Sequence, residues 1–239
     1  MFGKTNNVNS HVDYTENEWT TSEYYCEVLE FLKERKIKNF IDIGACSGIL
    51  GKLLFSKIDS LENCILVEAM ESNFNFIKED YKNNSKVKLY NNALYYGKEY
   101  VGIGEIGDSV GSFSILSNDN TKLIKTITLE NILEESIDIL NNDVDFIKID
   151  IEGAEYNIIE NSEVLKNIKY IEIEFHNNDE YGITSDKSRY EVWGPFLEKY
   201  LPNHQLVIGG DKEYNMGRFF GYHQAVYDGS GFFVLKDLL

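Results

Sequence analysis

Acidic side chains and one histidine occupy every second position of two strand-like stretches in the chain. Lys148, Asp150 and Glu152 alternate with isoleucines in KIDIEGAE, and the stretch IEIEFH ends in His176. Alternate residues of a strand share one face, and charges in a sheet that is buried on both sides are rare unless they are paired or functional. If the two stretches are neighbouring parallel strands, Asp150, Glu152 and His176 lie at the carboxyl end of the sheet, where open α/β sheets bind ligands.

These three residues are the candidate catalytic residues, and their chemistry would be removal of a proton from an acceptor group. His176 is the first candidate for the base because its ordinary pKa lies near neutrality, and Asp150 or Glu152 would orient it or serve in its place. The same three side chains could alternatively hold Mg, Mn or Fe, since carboxylates with one imidazole suit these ions. We favour a site without a metal.

A second candidate site is the stretch FIDIGACSGILG, which predicts a buried strand, a glycine-marked turn and a helix. Asp42 ends the strand and Gly44 and Gly48 mark the turn. Cys46 stands where the NAD fingerprint has its second glycine, and a side chain at this position disfavours close contact between the backbone and a pyrophosphate. S-adenosylmethionine carries a sulfonium and no phosphate, so an acidic strand end suits it better. Glu68, at the end of the next apolar run, is expected to accept hydrogen bonds from both ribose hydroxyls.

The elements that must position these residues alternate between strand and helix in the first half of the chain. This alternation is typical of a parallel sheet with helices on both faces and right-handed crossovers. Within the sheet, Lys148 is expected to pair with Glu172 or Glu174. Glycines interrupt the alternation between residues 95 and 117, which favours hairpins beside the main sheet. The spacing predicts helices over 21–36, 49–58, 73–81, 129–140, from 153 to about 165, and 191–200, and strands over 37–43, 64–68, 87–90, 100–103, 112–116, 124–128, from 144 onward, 168–176, 205–208 and, antiparallel, 231–235.

Composition narrows the classes of partner. The chain has 239 residues and a net charge of -17, which disfavours binding to nucleic acid. Three widely spaced cysteines suggest neither a disulfide framework nor a zinc cluster, and the polar N-terminus argues against a signal peptide. No apolar run is long enough for membrane insertion. We therefore expect a cytoplasmic protein; the oligomeric state cannot be read from the sequence.

The domain organisation expected from these patterns is simple. Residues 1–20 form a polar N-terminal arm, and residues 21–239 form one catalytic domain. Within that domain, the cofactor-binding half covers about 38–117, the catalytic strands about 144–177, and the substrate-side elements 178–239.

Several motifs resemble those of one known family. FIDIGACSG, VEA with Glu68, NNAL, KTITLENIL, DFIKIDIEGAE and IEIEFH occur in order over residues 38 to 177 and resemble the FkbM family of S-adenosylmethionine-dependent methyltransferases. The resemblance implies a Rossmann-like class I methyltransferase fold with a mostly parallel, seven-stranded twisted sheet and helices on both faces. It also implies a cofactor site that includes Ala45, Ala69, Asn92, Ala93 and Asp150 beside the turn residues. One departure is Cys46-Ser47, where members often carry Asn with a small or apolar residue.

The function implied by the resemblance is methyl transfer from S-adenosylmethionine to a hydroxyl of a sugar, glycan or glycosylated small molecule, with S-adenosylhomocysteine as the product. Two alternatives stay open at this stage. An NAD(P)-dependent oxidoreductase would use the same sheet, although the missing GxG disfavours it. A non-catalytic module with a decayed site would keep the fold, because one fold hosts many functions.

Overall fold

The computed structural model describes residues 16–105, 113–115, 122–141, 143–176, 189–209, 214–219, 222–226 and 230–239. The helices are α1 (Glu23–Arg35), α2 (Ile49–Lys57), α3 (Glu71–Tyr81), α4 (Leu129–Glu135), α5 (Ile137–Leu140), α6 (Glu155–Asn161) and α7 (Arg189–Tyr200). The strands are β1 (Asn39–Ile43), β2 (Asn63–Val67), β3 (Val87–Tyr90), β4 (Ala93–Leu94), β5 (Tyr100–Glu105), β6 (Phe113–Ile115), β7 (Lys122–Ile127), β8 (Phe146–Ile149), β9 (Tyr170–Glu174), β10 (His204–Gly209), β11 (Tyr214–Phe219), β12 (Tyr222–Val226) and β13 (Ser230–Leu235). Residues 16–21 are also helical.

Seven strands form the main sheet, in the order β10-β13-β9-β8-β1-β2-β3. The pairs from β3 to β9 are parallel, and β13 is antiparallel to both of its neighbours. The chain starts in the centre at β1, moves outward to β3 and then returns to β8 on the other side of β1. The carboxyl ends of β1 and β8 therefore form the topological switch point, where sheets of this kind bind ligands.

The two faces of the sheet bury different side chains. Ile41, Ile147 and Ile171 lie on one face, which packs with α4, α6 and α7. Phe40 and Phe146 lie on the other face and stack with their ring centroids 4.9 Å apart. That second face packs with α1 and α2, which supply further residues to the same core. The layered α/β fold and the mostly parallel seven-stranded sheet predicted from the motifs are confirmed.

Most predicted elements are present, with local corrections. The predicted helix 129–140 is divided into α4 and α5 at Ser136, whose φ of -115° and ψ of 15° are not helical. The predicted strand 168–176 ends at Glu174, which leaves His176 beyond the ladder. The extended pieces near 100 and 113 belong to a separate four-stranded sheet of order β4-β7-β5-β6. The hairpin of β11 and β12 was not predicted.

The N-terminal segment also differs from the expectation of a polar arm over residues 1–20. Residues 16–20 are helical, and Trp19 is fully buried in the core beneath α1. Residues 1–15 lie outside the described part of the chain. Within the described ranges, no helix has both the length and the apolar character that are needed to cross a membrane.

Candidate functional site

The chain passes from β1 into α2 through a tight turn at residues 44–48. Three residues of this turn have positive φ angles, 86° at Gly44, 49° at Cys46 and 70° at Gly48. A Cβ atom on Gly44 would lie 1.8 Å from the carbonyl oxygen of Asp150, so only glycine allows the turn to approach the end of β8 this closely. The turn therefore brings the predicted cofactor motif directly against a predicted catalytic residue.

Backbone N–H groups of this turn are already bonded within the protein. Those of Gly44 and Ala45 both donate to the end of β2 at 3.0 Å, and that of Gly48 donates to Ala45 at 2.7 Å. The N–H of Cys46 donates to Oε2 of Glu68 at 2.8 Å. A dinucleotide site uses such N–H groups to bind its pyrophosphate, so this turn is poorly suited to NAD(P).

Glu68 follows β2 and faces the turn. Besides the bond from Cys46, its Oε1 accepts a hydrogen bond from the N–H of Met70 at 2.7 Å. Burial raises the pKa of the Glu68 carboxyl to about 7, although the hydrogen bonds from Met70 and Cys46 lower it. An ionised carboxylate has about four acceptor positions, so two backbone bonds leave acceptor capacity for two ribose hydroxyls.

Asp42 is a buried carboxylate at the end of β1. It is 1% exposed, and its Oδ1 has no hydrogen-bond partner among the described residues. The pKa of Asp42 is raised to about 6, mainly because the carboxyl is buried. The Lys148 ammonium acts to lower this pKa, and the Asp150 carboxylate acts to raise it. A buried acceptor without a donor is costly, and it marks a position that a ligand donor would satisfy. Asp42 and Glu68 therefore fit S-adenosylmethionine, which presents a positively charged ammonium and two ribose hydroxyls.

Asp42 is the first of a row of charged side chains that crosses three adjacent strands of the sheet. Asp42 on β1, Lys148 on β8 and Glu172 on β9 are paired in register, and none is more than 6% exposed. Lys148 Nζ contacts Oδ2 of Asp150 at 2.8 Å. The ion-pair partner of Lys148 is therefore Asp150 and not the predicted Glu172 or Glu174, because Asp150 follows two residues later on the same strand face. Glu172 and Glu174 act on the ammonium only through their charges.

The N-terminal segment covers this charged row. Tyr24 in α1 donates to Oε1 of Glu172 at 3.3 Å, and Oε2 of Glu172 has no hydrogen-bond partner among the described residues. Burial raises the pKa of Glu172 to about 8. Trp19 stacks on Tyr25 with their ring centroids 4.5 Å apart. Water is thereby kept from one side of the charged row.

His176 follows β9 and turns its ring toward the ends of β8 and α6. Its Nδ1 lies 2.8 Å from Oε1 of Glu155. Its Nε2 faces three carboxylates, with Oε2 of Glu152 at 3.5 Å, Oδ1 of Asp150 at 3.8 Å and Oε1 of Glu174 at 3.8 Å. The structure thus brings the three predicted catalytic residues together, and it adds Glu155 and Glu174. We call these five side chains the His176 cluster.

Glu155 is one of the two members of the cluster that were not predicted from the sequence as site residues. It is fully buried, and Oε1 also accepts hydrogen bonds from the N–H groups of Ile151 at 3.1 Å and Gly153 at 3.2 Å. Glu155 therefore fixes both the loop after β8 and the ring of His176, the orienting role that was expected of Asp150 or Glu152. The available signal was its spacing, since EGAE puts a second acid at the first residue of α6.

The protonation states of the cluster follow from its charges. Burial lowers the pKa of His176, but the hydrogen bond to Glu155 and the charges of Glu155, Asp150 and Glu174 raise it overall to about 10. Burial raises the pKa of Asp150, but Lys148 and His176 outweigh burial and hold it below its ordinary value. Burial and Asp150 hold the pKa of Glu174 well above its usual range. Without a ligand, His176 is an imidazolium and Asp150 is an ionised carboxylate.

Glu152 adopts a strained backbone conformation, with a φ of 54°. Residues other than glycine are uncommon in this left-handed region, and such strain is often found at functional sites. The conformation lets the chain turn from β8 into α6 while the Glu152 carboxylate stays near His176.

Of the predicted cofactor residues, Ala93 lies in the separate four-stranded sheet and Asn92 directly precedes it. Ala93 pairs with Thr126 in the ladder of β4 and β7, and Asn92 Nδ2 donates to the carbonyl oxygen of Lys125 at 3.1 Å. The neighbouring Asn91 reaches the cofactor side instead, because its Nδ2 donates to the carbonyl oxygens of Glu68 at 2.9 Å and Ala69 at 3.2 Å. Asn91 was missed because side chains alternate in direction along an extended segment, and sequence alone did not fix the phase.

The sheet order, the glycine turn at the switch point and the acid after β2 define a class I methyltransferase fold. The family model described as "Methyltransferase FkbM domain" matches residues 42–204, which is more than half of the chain. The chain therefore belongs to the FkbM methyltransferase family, and it is a methyltransferase enzyme.

Solved structures show similarity at low sequence identity. The methyltransferase FkbM from Methylobacillus flagellatus KT is 14% identical, with a TM-score of 0.50, and the match covers 83% of this chain and 44% of that chain. This chain thus spans less than half of that protein, and at this identity the similarity concerns the fold. The methyltransferase domain of bacterial CtHen1-CN is 16% identical, with a TM-score of 0.44 and coverage of 87% and 96%. The comparison with curated proteins gives no match.

Proposed function

We propose that the protein is an S-adenosylmethionine-dependent O-methyltransferase whose acceptor is a hydroxyl of a sugar, glycan or glycosylated small molecule. The observation that carries the proposal is the contact of Gly44 with the Asp150 carbonyl, which joins the cofactor turn to the His176 cluster. Cofactor and acceptor would therefore meet at the switch point of the sheet. The choice of a sugar hydroxyl rests on the motif resemblance to the FkbM family.

The cofactor would supply an electrophilic methyl group on a sulfonium, so the protein has mainly to align the acceptor and remove a proton. Glu68 would bind the ribose hydroxyls, and Asp42 would accept a hydrogen bond from the ammonium group. Gly44, Ala45, Cys46, Gly48 and Ala69 would form the surrounding backbone.

The proton of the acceptor hydroxyl would go to a carboxylate of the His176 cluster. His176 was the first candidate, but its pKa of about 10 leaves Nε2 without a lone pair at neutral pH. Asp150 and Glu152 both face Nε2, and the ionised Asp150 is able to accept a proton. His176 would then stabilise negative charge on the acceptor and carboxylate, positioned by Glu155.

The oxidoreductase alternative is weakened by the bonded N–H groups of the turn and by the carboxylate of Glu68 against Cys46. The alternative of a decayed module is weakened by the assembly of Asp150 and Glu152 around His176. A site that no longer functions would not be expected to keep the buried carboxylate of Glu155 on the histidine ring.

Calorimetric titration with S-adenosylhomocysteine tests the proposal, with two glycine variants as a matched pair. Gly44 and Gly97 have φ angles of 86° and 85°, but a Cβ on Gly97 would meet nothing within 4 Å. Gly44→Ala should abolish binding, whereas Gly97→Ala should bear only the backbone strain and bind as the wild type does. Absence of S-adenosylhomocysteine binding to the wild type, together with binding of NAD(P), would refute the proposal. His176→Ala should keep the binding and lose turnover with a library of glycosylated acceptors.

A further inference from the structure

Nε2 of His176 faces the carboxylates of the cluster at distances that are too long for hydrogen bonds. The separations of 3.5 Å to Glu152 and 3.8 Å to both Asp150 and Glu174 exceed the range of about 2.7 to 3.2 Å for N–H···O bonds. Two ligands of one octahedral ion, each about 2.1 Å from it, lie about 3.0 to 4.2 Å apart. The cluster spacing therefore corresponds to side chains that share an ion.

The ligand atoms of Asp150, Glu174 and His176 all lie within 4.8 Å of one another. The carboxyl groups of Asp150 and Glu174 are two of these three ligands, so their oxygens lie within 4.8 Å of each other. Two carboxyl groups in contact repel each other once both are ionised, and a shared cation removes that repulsion.

A separate observation concerns Glu155, which lies behind the ring. It is fully buried, and its Oε2 has no hydrogen-bond partner among the described residues. Its Oε1 holds Nδ1 of His176, which directs Nε2 into the space between the carboxylates. A histidine that ligates a metal commonly donates its other ring N–H to a carboxylate in this way.

We propose that Asp150, Glu174 and His176 bind one divalent cation of the Mn²⁺ type, a state in which Asp150 ligates the ion and Glu152 takes its place as the proton acceptor. Oxygen ligands with one imidazole suit this ion, and open coordination positions would be left for the acceptor. Binding places the ion on Nε2 in exchange for the imidazolium proton, which passes to solvent. The ion would lower the pKa of a coordinated acceptor hydroxyl, a role that rests on the proposed methyl transfer.

The test is a titration of the full chain with Mn²⁺ alone, in which the electron paramagnetic resonance signal of the free ion measures how much Mn²⁺ is bound. The wild type should show one saturable site. Glu174→Gln and His176→Ala should each weaken it at least tenfold. Glu163→Gln, which removes one charge from a side chain that is 80% exposed, should leave it unchanged. Equal binding in all four proteins, or no saturable site in the wild type, would overturn the proposal.

Two further measurements keep the test decisive. Mn²⁺ should broaden the imidazole resonances of His176 of the wild-type protein first. Broadening of another histidine instead would overturn the proposal without any variant.

S-adenosylhomocysteine should still bind to Glu174→Gln with wild-type affinity, because its proposed contacts are at Asp42 and Glu68. If Glu174→Gln no longer binds S-adenosylhomocysteine, and Mn²⁺ competes with S-adenosylhomocysteine for the wild type, the cluster is part of the cofactor pocket and the metal site is refuted. If the wild type binds Mn²⁺ but never S-adenosylhomocysteine, the proposed function fails and the metal site stands.

Discussion

At the scale of single residues, Glu68 combines a structural role with the proposed role of binding the cofactor ribose. It closes the cofactor turn through the N–H groups of Cys46 and Met70, and its burial raises its pKa to about 7. The folded-state pKa therefore lies above that of the unfolded chain, about 4.3. The contribution of this group to stability is fully present below the unfolded pKa and is lost as the pH rises through 7. Binding of ribose hydroxyls, by contrast, favours the ionised form.

Glu68→Gln should remove this pH dependence. The free energy of unfolding of the wild type should fall relative to that of the variant by about 3 kcal/mol between pH 4.5 and 8. Urea denaturation at a series of pH values measures the difference. Glu71→Gln is the control, because Lys122 lowers the pKa of exposed Glu71 and its effect has the opposite sign. A difference between wild type and Glu68→Gln that stays constant with pH would contradict the prediction.

At the scale of elements, the three adjacent strands β1, β8 and β9 share one buried cation. Lys148 lies between Asp42 and Glu172 in register and contacts Asp150, so its ammonium compensates carboxylates from all three strands. Breaking a buried ion pair leaves uncompensated charge, whereas an exposed pair contributes little.

Lys148→Met should therefore destabilise the protein by roughly 3 to 5 kcal/mol. Lys38→Met removes a cation from an exposed pair with Glu62, in which both side chains are more than half exposed, and should cost at most about 1 kcal/mol. Chemical denaturation of both variants in metal-free buffer makes the comparison. Similar losses for the two would mean that the buried row contributes no more than a surface pair.

At the scale of the whole molecule, the net charge of -17 governs which partners can approach. Phosphate backbones bind proteins mainly by displacing counterions with Lys and Arg, and this chain has 23 such residues against 40 acidic ones. A neutral glycan or glycosylated small molecule meets no such barrier, and cations are attracted.

Labelled single-stranded RNA should therefore show no saturable binding, with any affinity weaker than about 10⁻⁴ M near physiological salt. Fluorescence anisotropy measures this, with a basic RNA-binding protein as the positive control. Saturable binding that weakens as salt is added would contradict the expectation and point to a local basic patch.

Much of this organisation was predictable because it depends on short-range patterns. The alternation of isoleucines with charged residues predicted that Asp150 and Glu152 lie at the end of a buried strand. The glycines after Asp42 predicted the tight turn between β1 and α2. The division of the predicted helix at Ser136 was not predictable, because the Ser136 hydroxyl is engaged by the distant Tyr90 at 2.8 Å.

The sequence by itself determined the alternation of strands and helices and the family, and it selected Asp42, Gly44, Glu68, Asp150 and His176 as candidate site residues, since residue type and spacing carry that information. Only the tertiary structure decided their partners: Lys148 with Asp150 instead of Glu172, and Glu155 on Nδ1 of His176. Such pairings depend on which side chains the folded backbone brings within hydrogen-bonding distance. His176 shows the consequence, because its ordinary pKa suggested a base and its three-dimensional neighbours make it a cation.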